Sequence, residues 1–224
     1  MNHATLLILT AAFSIGFIHT LMGPDHYIPF IVLSRARCWS LIKTLTVTTL
    51  CGIGHVLSAA LIGVIAVSLG LSLSKLTWVE SVRGSFAIWL LIGFGFVYFL
   101  WGFYQLKSSQ HHHPHDHIHI FGNHIQHKNW KEITPWALFI IFVLGPCEPL
   151  IPLMMYPAIQ GSILNVCLVT LLFGLATLFT MLSVVTATFF GLEHLPFHFL
   201  GKYGHMLAGA VIFGSGVAIK IFGL

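Results

Sequence analysis

The chain has 224 residues, of which 57% are hydrophobic and only 7% are charged. A soluble domain carries about 25% charged residues, so a chain with this composition cannot cover a surface that faces water. It is predicted to be an integral membrane protein. The formal net charge of +4 says little about nucleic acid. We expect no nucleic-acid partner. Nothing resembles a nucleotide-binding motif, so we expect no direct ATP hydrolysis, and we do not expect the protein to be an enzyme.

Six apolar segments are long enough to cross a membrane, since each span needs roughly 20 residues. They cover residues 5–33, 43–71, 85–106, 133–159, 163–190 and 203–222. The first segment is too long for a signal peptide, has no basic region before it and contains Asp25, so we expect it to be retained. The spans leave no room for a separate soluble domain.

The basic residues are distributed unequally between the two sides that six spans would define. Seven follow spans 1, 3 and 5, namely Arg35, Arg37, Lys43, Lys107, Lys128, Lys131 and Lys202. Three lie on the opposite side, namely Lys75, Arg83 and Lys220. Because cytoplasmic loops are enriched in Lys and Arg, this pattern predicts that both termini lie outside the cell.

An internal repeat divides the chain into two halves. The stretch GPDHYIP at 23–29 returns as GPCEPLIP at 145–152. With three spans in each copy, the second copy must be inverted, as in many secondary transporters. We therefore predict two inverted three-helix repeats, at 1–106 and 133–224, joined by a linker at 107–132. Helices 1 and 4 should break at Gly-Pro, because proline lacks a backbone donor and clashes with the preceding turn.

Polar side chains within the spans are the candidate functional residues, because each ionisable group there costs about 2.5–3.5 kcal/mol on insertion scales. The set is His19, Asp25, His26, His55, Cys147 and Glu148. Imidazole and carboxylate ligands suit nickel, cobalt, zinc or ferrous iron, and a thiolate favours softer ions. Other interpretations stay open: a proton relay at Asp25 and His26, an interhelical hydrogen bond from His55, or simple packing for Cys147.

The linker contains the tract HHHPHDHIHIFGNHIQH at 111–127. Such a His-rich segment has a compositional signal for metal binding. The candidate ion-buffering residues are His111, His112, His113, His115, His117 and His119. The charge pattern places the tract in the cytoplasm. A solvated linker between the two repeats is the alternative interpretation.

Three short motifs resemble the nickel/cobalt transporter group that includes NicO, RcnA and UreH-like proteins, within the LysE superfamily. HTLMGPDH at 19–26 is similar to its histidine and Asp-His signature, although the spacing is one residue longer. GHVLSA at 54–59 is similar to its Gly-His-Ser motif, with Val56 in place of serine. FGLATLFTM at 173–181 is similar to a segment of UreH-like and TauE/SafE-like proteins. The resemblance implies that His19, Asp25, His26 and His55 bind the ion.

GPCEPLIP instead resembles the proline-flanked cysteine of the related CcdA/DsbD proteins, in which one cysteine from each repeat exchanges electrons. Here Asp25 stands in the first repeat where Cys147 stands in the second, so an equivalent disulfide is not expected. We therefore predict a transporter for nickel or cobalt, with zinc or iron as further candidates, that works by alternating access. A CcdA/DsbD-like electron carrier, a sulfite-type anion exporter and a maturation accessory protein remain alternatives.

The predicted transporter has the moving cation as its substrate and no tightly bound cofactor. A metallochaperone or metalloenzyme is a candidate protein partner. The resemblance implies a bacterial inner membrane. The sequence leaves the direction of transport and the oligomeric state open.

Overall fold

A computed structural model describes residues 3–70, 72–108, 125–193 and 200–222, and within them the chain is entirely helical, with no strand. The helices are α1 (His3–Met22), α2 (Ile28–Ala36), α3 (Leu41–Ser68), α4 (Leu73–Ser108), α5 (Ile125–Leu144), α6 (Leu150–Ile159), α7 (Ile163–Glu193) and α8 (Leu200–Phe222). A single 3₁₀ turn, Pro24–His26, connects α1 to α2.

Among these residues, five helices are long and apolar enough to cross a membrane, namely α1, α3, α4, α7 and α8. Thr134–Leu144 and Leu150–Ile159 are shorter apolar helices. The predicted all-α membrane protein is therefore confirmed. The fourth predicted span, 133–159, is not one continuous helix, because Gly145 and Pro146 separate α5 from α6.

Both predicted Gly-Pro breaks are present. α1 ends at Met22, directly before Gly23 and Pro24, and α5 ends at Leu144, directly before Gly145 and Pro146. The second half-helices begin four residues after each proline, at Ile28 and Leu150. The polar pairs therefore lie in the connections between helices rather than in the first turns of α2 and α6.

Helices α4 and α8 pack antiparallel with their backbones in close contact. A Cβ atom built on Gly95 would lie 2.4 Å from the Phe213 nitrogen, and one built on Gly209 would lie 2.3 Å from the Phe99 nitrogen. Only glycine allows this approach. Small residues at such crossings are typical of helix association in membranes, where van der Waals packing replaces the hydrophobic effect.

The other helices pack beside this pair or on one another. α1 packs on α7, α3 contacts both α5 and α7, and α2 lies against α8. The main core includes Phe30, Leu33, Leu138, Met181 and Ile212, which are all fully buried. Large apolar side chains remain exposed along the outer faces of the long helices, as expected for surfaces that contact lipid.

Candidate metal centre

Three histidines from separate segments meet inside the helical bundle. His19 lies near the end of α1, His26 in the 3₁₀ turn and His55 in the middle of α3. The ring centroids are 5.0 Å apart between His19 and His26, and 5.2 Å apart between His26 and His55. One nitrogen from each ring can be chosen so that all three lie within 4.8 Å of one another.

The break after α1 turns the chain so that His26 lies beside His19. The Gly23 amide still donates to the His19 carbonyl at 3.0 Å, so the helix closes normally before the chain turns. A Cβ atom on Gly23 would lie 2.5 Å from His26 Nδ1. Glycine is therefore required here, because any side chain would push the imidazole away from its neighbours.

His55 reaches the same point because α3 packs closely on its neighbours at two glycines. A Cβ atom on Gly52 would lie 2.6 Å from Leu178 Cδ2 on α7, and one on Gly54 would lie 2.8 Å from Val143 Cγ2 on α5. This is the close packing expected for small residues in a membrane interior. It brings the middle of α3 against the break that follows α5.

Hydrogen bonds occupy the Nδ1 atom of two of the rings. His26 Nδ1 donates to the Gly23 carbonyl at 3.2 Å and to Asp25 Oδ1 at 3.1 Å. His55 Nδ1 donates to the Phe142 carbonyl at 3.2 Å. A neutral imidazole that donates from Nδ1 presents a free lone pair at Nε2. Partners of this kind orient the histidine ligands of metal sites.

The Nε2 atoms of His19, His26 and His55 are buried, and none has a hydrogen-bond partner within the described part of the chain. A buried polar atom without a partner costs about 1–3 kcal/mol, so three in one cluster need an explanation. A metal ion would satisfy all three at once. Three neutral imidazoles suit copper, iron, zinc or nickel better than the hard cations that prefer oxygen.

Two cavities adjoin the cluster. A cavity of about 30 Å³ is lined by His26 and His55 together with Asp25 and the Gly145–Pro146 break. A second cavity of about 450 Å³ is lined by His19, Asp25, Glu148 and Lys220, among other residues. Because Lys220 lies near the end of α8, the larger cavity leads towards the end of the bundle where α8 finishes. It provides space for an ion to approach the imidazoles.

The six predicted site residues fall into three groups. His19, His26 and His55 form the cluster, and Asp25 lies beside it through its hydrogen bond to His26. Glu148 is exposed and lines the 450 Å³ cavity. Cys147 is fully buried in an apolar cluster with Leu150, Met154 and Phe173. The predicted buffering histidines at 111–119 lie outside the described residues.

The sequence analysis missed Glu80 and Arg83. It started the third span at residue 85, whereas α4 begins at Leu73, so both were treated as loop residues. They form an ion pair at 3.2 Å in which Glu80 is completely buried. Opposite charges three residues apart are neighbours on a helix surface, and this spacing was the available signal.

The fold and the site together define an all-helical membrane protein with a histidine cluster in its interior. Residues 30–218 match the family model described as cytochrome c biogenesis protein transmembrane region. The chain belongs to this family. No curated protein and no solved structure gives a significant match.

The prediction of a nickel/cobalt transporter of the NicO, RcnA and UreH-like group is wrong, because the family match covers most of the chain and identifies a different family. The three motifs behind that prediction are short, with six to nine residues each. The resemblance of GPCEPLIP to CcdA/DsbD proteins was the informative one. The matched range begins after His26, so the match itself does not include His19 or His26.

Proposed function

We propose that this protein carries reducing equivalents across the membrane, as the CcdA/DsbD proteins do, and that its redox centre is a metal ion bound by His19, His26 and His55. The observation that carries the proposal is the convergence of three imidazoles whose buried Nε2 atoms have no partner in the described structure. Membership of the cytochrome c biogenesis family supports the electron-carrying role.

The chemistry narrows the choice of metal. Imidazole ligands suit copper, iron and zinc, but zinc has no redox chemistry in proteins, so copper or iron is the expected ion. A dithiol donor on one side would become a disulfide, releasing two protons and two electrons. Held by His19, His26 and His55, a copper or iron ion would supply the one-electron redox chemistry between this donor and an acceptor on the other side. The protein partners implied are therefore a dithiol donor and a carrier that delivers the metal.

A single-thiol mechanism is the second candidate. It is favoured by the family match and by Cys147, which stands between prolines at the second break. All four cysteines are free, at positions 38, 51, 147 and 167. Cys147 would therefore need a thiol from a partner protein, and its complete burial requires an opening of the α5–α6 connection first.

We also propose that α5 and α6 together form a sixth span and that the chain is an inverted repeat. The packing supports this, since α1 lies on α7 just as its counterpart α5 lies on α3, and α4 lies on its own counterpart α8. The halves would be 1–106 and 133–224, joined by the linker 107–132. In a bacterial inner membrane, both termini would lie outside and the His-rich tract in the cytoplasm.

Copper binding and electron transfer by the purified protein test the proposal. Vesicles with trapped ferricyanide and reconstituted, copper-loaded protein would receive an external dithiol peptide that cannot cross the membrane. We expect one tightly bound copper in the membrane interior, in addition to any ions that the His-rich tract holds, and reduction of the trapped ferricyanide. His55→Ala should lose this interior copper and the reduction. His205→Ala is the matched control, because it removes an imidazole on α8 that bonds to Tyr98 and not to the cluster, and it should behave as the wild type.

Cys147→Ser separates the two candidates. If the metal carries the electrons, this variant keeps its copper and its transfer rate. Loss of transfer with full copper content would instead favour the single-thiol mechanism. A folded wild-type protein that binds no more copper or iron than His55→Ala would contradict the proposed centre.

A further inference from the structure

Glu80 and Arg83 on α4 contact the break between α5 and α6 directly. Arg83 Nη2 donates to the Gly145 carbonyl at 2.6 Å, and the Cys147 amide donates to Glu80 Oε2 at 3.3 Å. The same Glu80 oxygen lies 3.2 Å from Arg83 Nη2. One ion pair therefore satisfies a carbonyl and an amide that the interrupted helix leaves without partners.

Such partners are needed because unsatisfied backbone groups are costly inside a membrane. The first break satisfies its own groups, since both the amide and the Nδ1 atom of His26 bond to the Gly23 carbonyl. The second break contains no histidine and depends on α4 instead. A Cβ atom on Gly84 would lie 2.7 Å from Pro146 Cγ, so α4 also presses directly against this connection.

The connection between α5 and α6 also orients His55, one of the three histidines of the cluster. The Gly145 amide donates to the Phe142 carbonyl at 3.0 Å, and His55 Nδ1 donates to that same carbonyl at 3.2 Å. A Cβ atom on Gly145 would lie 3.3 Å from His55 Nδ1. A shift of Gly145 would therefore move or release the acceptor that orients His55.

We infer that Glu80 and Arg83 are positioning residues for the metal centre. Their hydrogen bonds to the α5–α6 connection hold the Phe142 carbonyl in place, and this carbonyl keeps His55 Nε2 directed at the ion. The inference rests on the proposed metal centre. An ion pair buried in a membrane span is expensive and usually marks a function. Here that function is to orient His55 through the α5–α6 connection.

Copper(II) binding, measured by competitive titration and by the imidazole nitrogen couplings in its electron paramagnetic resonance spectrum, tests the inference. Glu80→Gln and Arg83→Gln should each weaken copper binding by about 10- to 100-fold, the usual effect of losing groups that orient metal ligands. Both should change the nitrogen couplings. Arg83→Lys keeps the charge and one donor, so its affinity should lie between that of Arg83→Gln and the wild type.

Each single variant leaves a buried charge without its partner, which destabilises proteins strongly. The double variant Glu80→Leu with Arg83→Met removes both charges, and such replacements are often neutral for stability. We expect it to fold, to keep one copper site and to show the same weakened affinity and altered spectrum. Tyr98→Phe is the matched control, because it removes a hydroxyl on α4 that bonds to Arg37 and His205, away from the break.

Two negative results have different meanings. If the wild type binds copper and the double variant keeps the same affinity and spectrum, the positioning role is wrong while the metal centre stands. If the folded wild type binds no more copper or iron than His55→Ala, the centre and the positioning role are both wrong. A weakened affinity in Tyr98→Phe equal to that of the double variant would also contradict a specific role for the ion pair.

Discussion

At the scale of single residues, the contacts of Asp25 explain why a carboxylate lies within the first apolar segment. Its Oδ1 accepts from His26 Nδ1 at 3.1 Å, which keeps the proton on that nitrogen and leaves Nε2 free for the ion. Carboxylate–histidine–metal arrangements of this kind orient the ring and raise its basicity. This contact accounts for the Asp-His pair without requiring Asp25 to be a ligand itself.

Substitutions of Asp25 should weaken copper binding to different degrees, depending on whether the new side chain keeps an acceptor oxygen. Asp25→Asn keeps a carbonyl oxygen that can accept from His26, so copper affinity should fall only slightly. Asp25→Ala removes the acceptor, and affinity should fall by about 10- to 100-fold. Titration against a chelating dye measures both. Equal affinity for the alanine variant and the wild type would show that Asp25 does not orient His26.

At the scale of helices, glycine decides how closely the two halves approach. Gly95 and Gly209 face the backbone of the opposite helix, where nothing can move aside, while Gly93 and Gly214 have open space at the corresponding Cβ position. The α4–α8 contact is the most extensive between any two helices of the described structure. It therefore sets the frame in which the breaks and α3 are held.

Alanine substitutions at these four glycines should distinguish the effect of close backbone contact on stability from the effect of helix propensity on stability. Gly95→Ala and Gly209→Ala should each destabilise the protein by about 1–3 kcal/mol, the usual cost of overpacking. Gly93→Ala and Gly214→Ala should be neutral or slightly stabilising, because alanine favours helix and meets no atom there. Thermal unfolding in detergent measures all four. Equal effects at the contact and open positions would contradict the close backbone approach.

At the scale of the whole molecule, the proposed inverted arrangement predicts which loops share a side of the membrane. With α5 and α6 counted as one span, Gly70 between α3 and α4 would lie on the side of both termini. The His-rich tract would lie on the other side. The two loops should therefore differ in their access to reagents added outside the cell.

Cysteine labelling with a membrane-impermeant maleimide tests this topology. In a background with the exposed Cys38 and Cys167 changed to serine, the buried Cys51 and Cys147 should not react. Gly70→Cys should be labelled in intact cells, whereas His115→Cys should react only after the membrane is opened. Labelling of both positions from the same side would show that α4, which joins the two loops, does not cross the membrane, and would contradict this topology.

The amino-acid sequence by itself determined the membrane class, the two Gly-Pro breaks and the candidate histidines. These follow from composition and from the chemistry of single residues, which need no knowledge of distant contacts. It did not determine the start of α4, because Lys75, Glu80 and Arg83 interrupt the apolar run although the helix continues through them. Short motifs also misled the choice of family, because they do not include the packing pattern of the entire chain.

Only the tertiary structure decided which polar residues act together. His55 joins His19 and His26 because glycines let α3 pack against α5 and α7. Cys147 stays out of the histidine cluster because it is buried among apolar side chains. Glu80 and Arg83 reach a break that lies far away in sequence. Each of these outcomes depends on contacts between separate helices, and such contacts are set by the shape of the packed bundle rather than by local sequence.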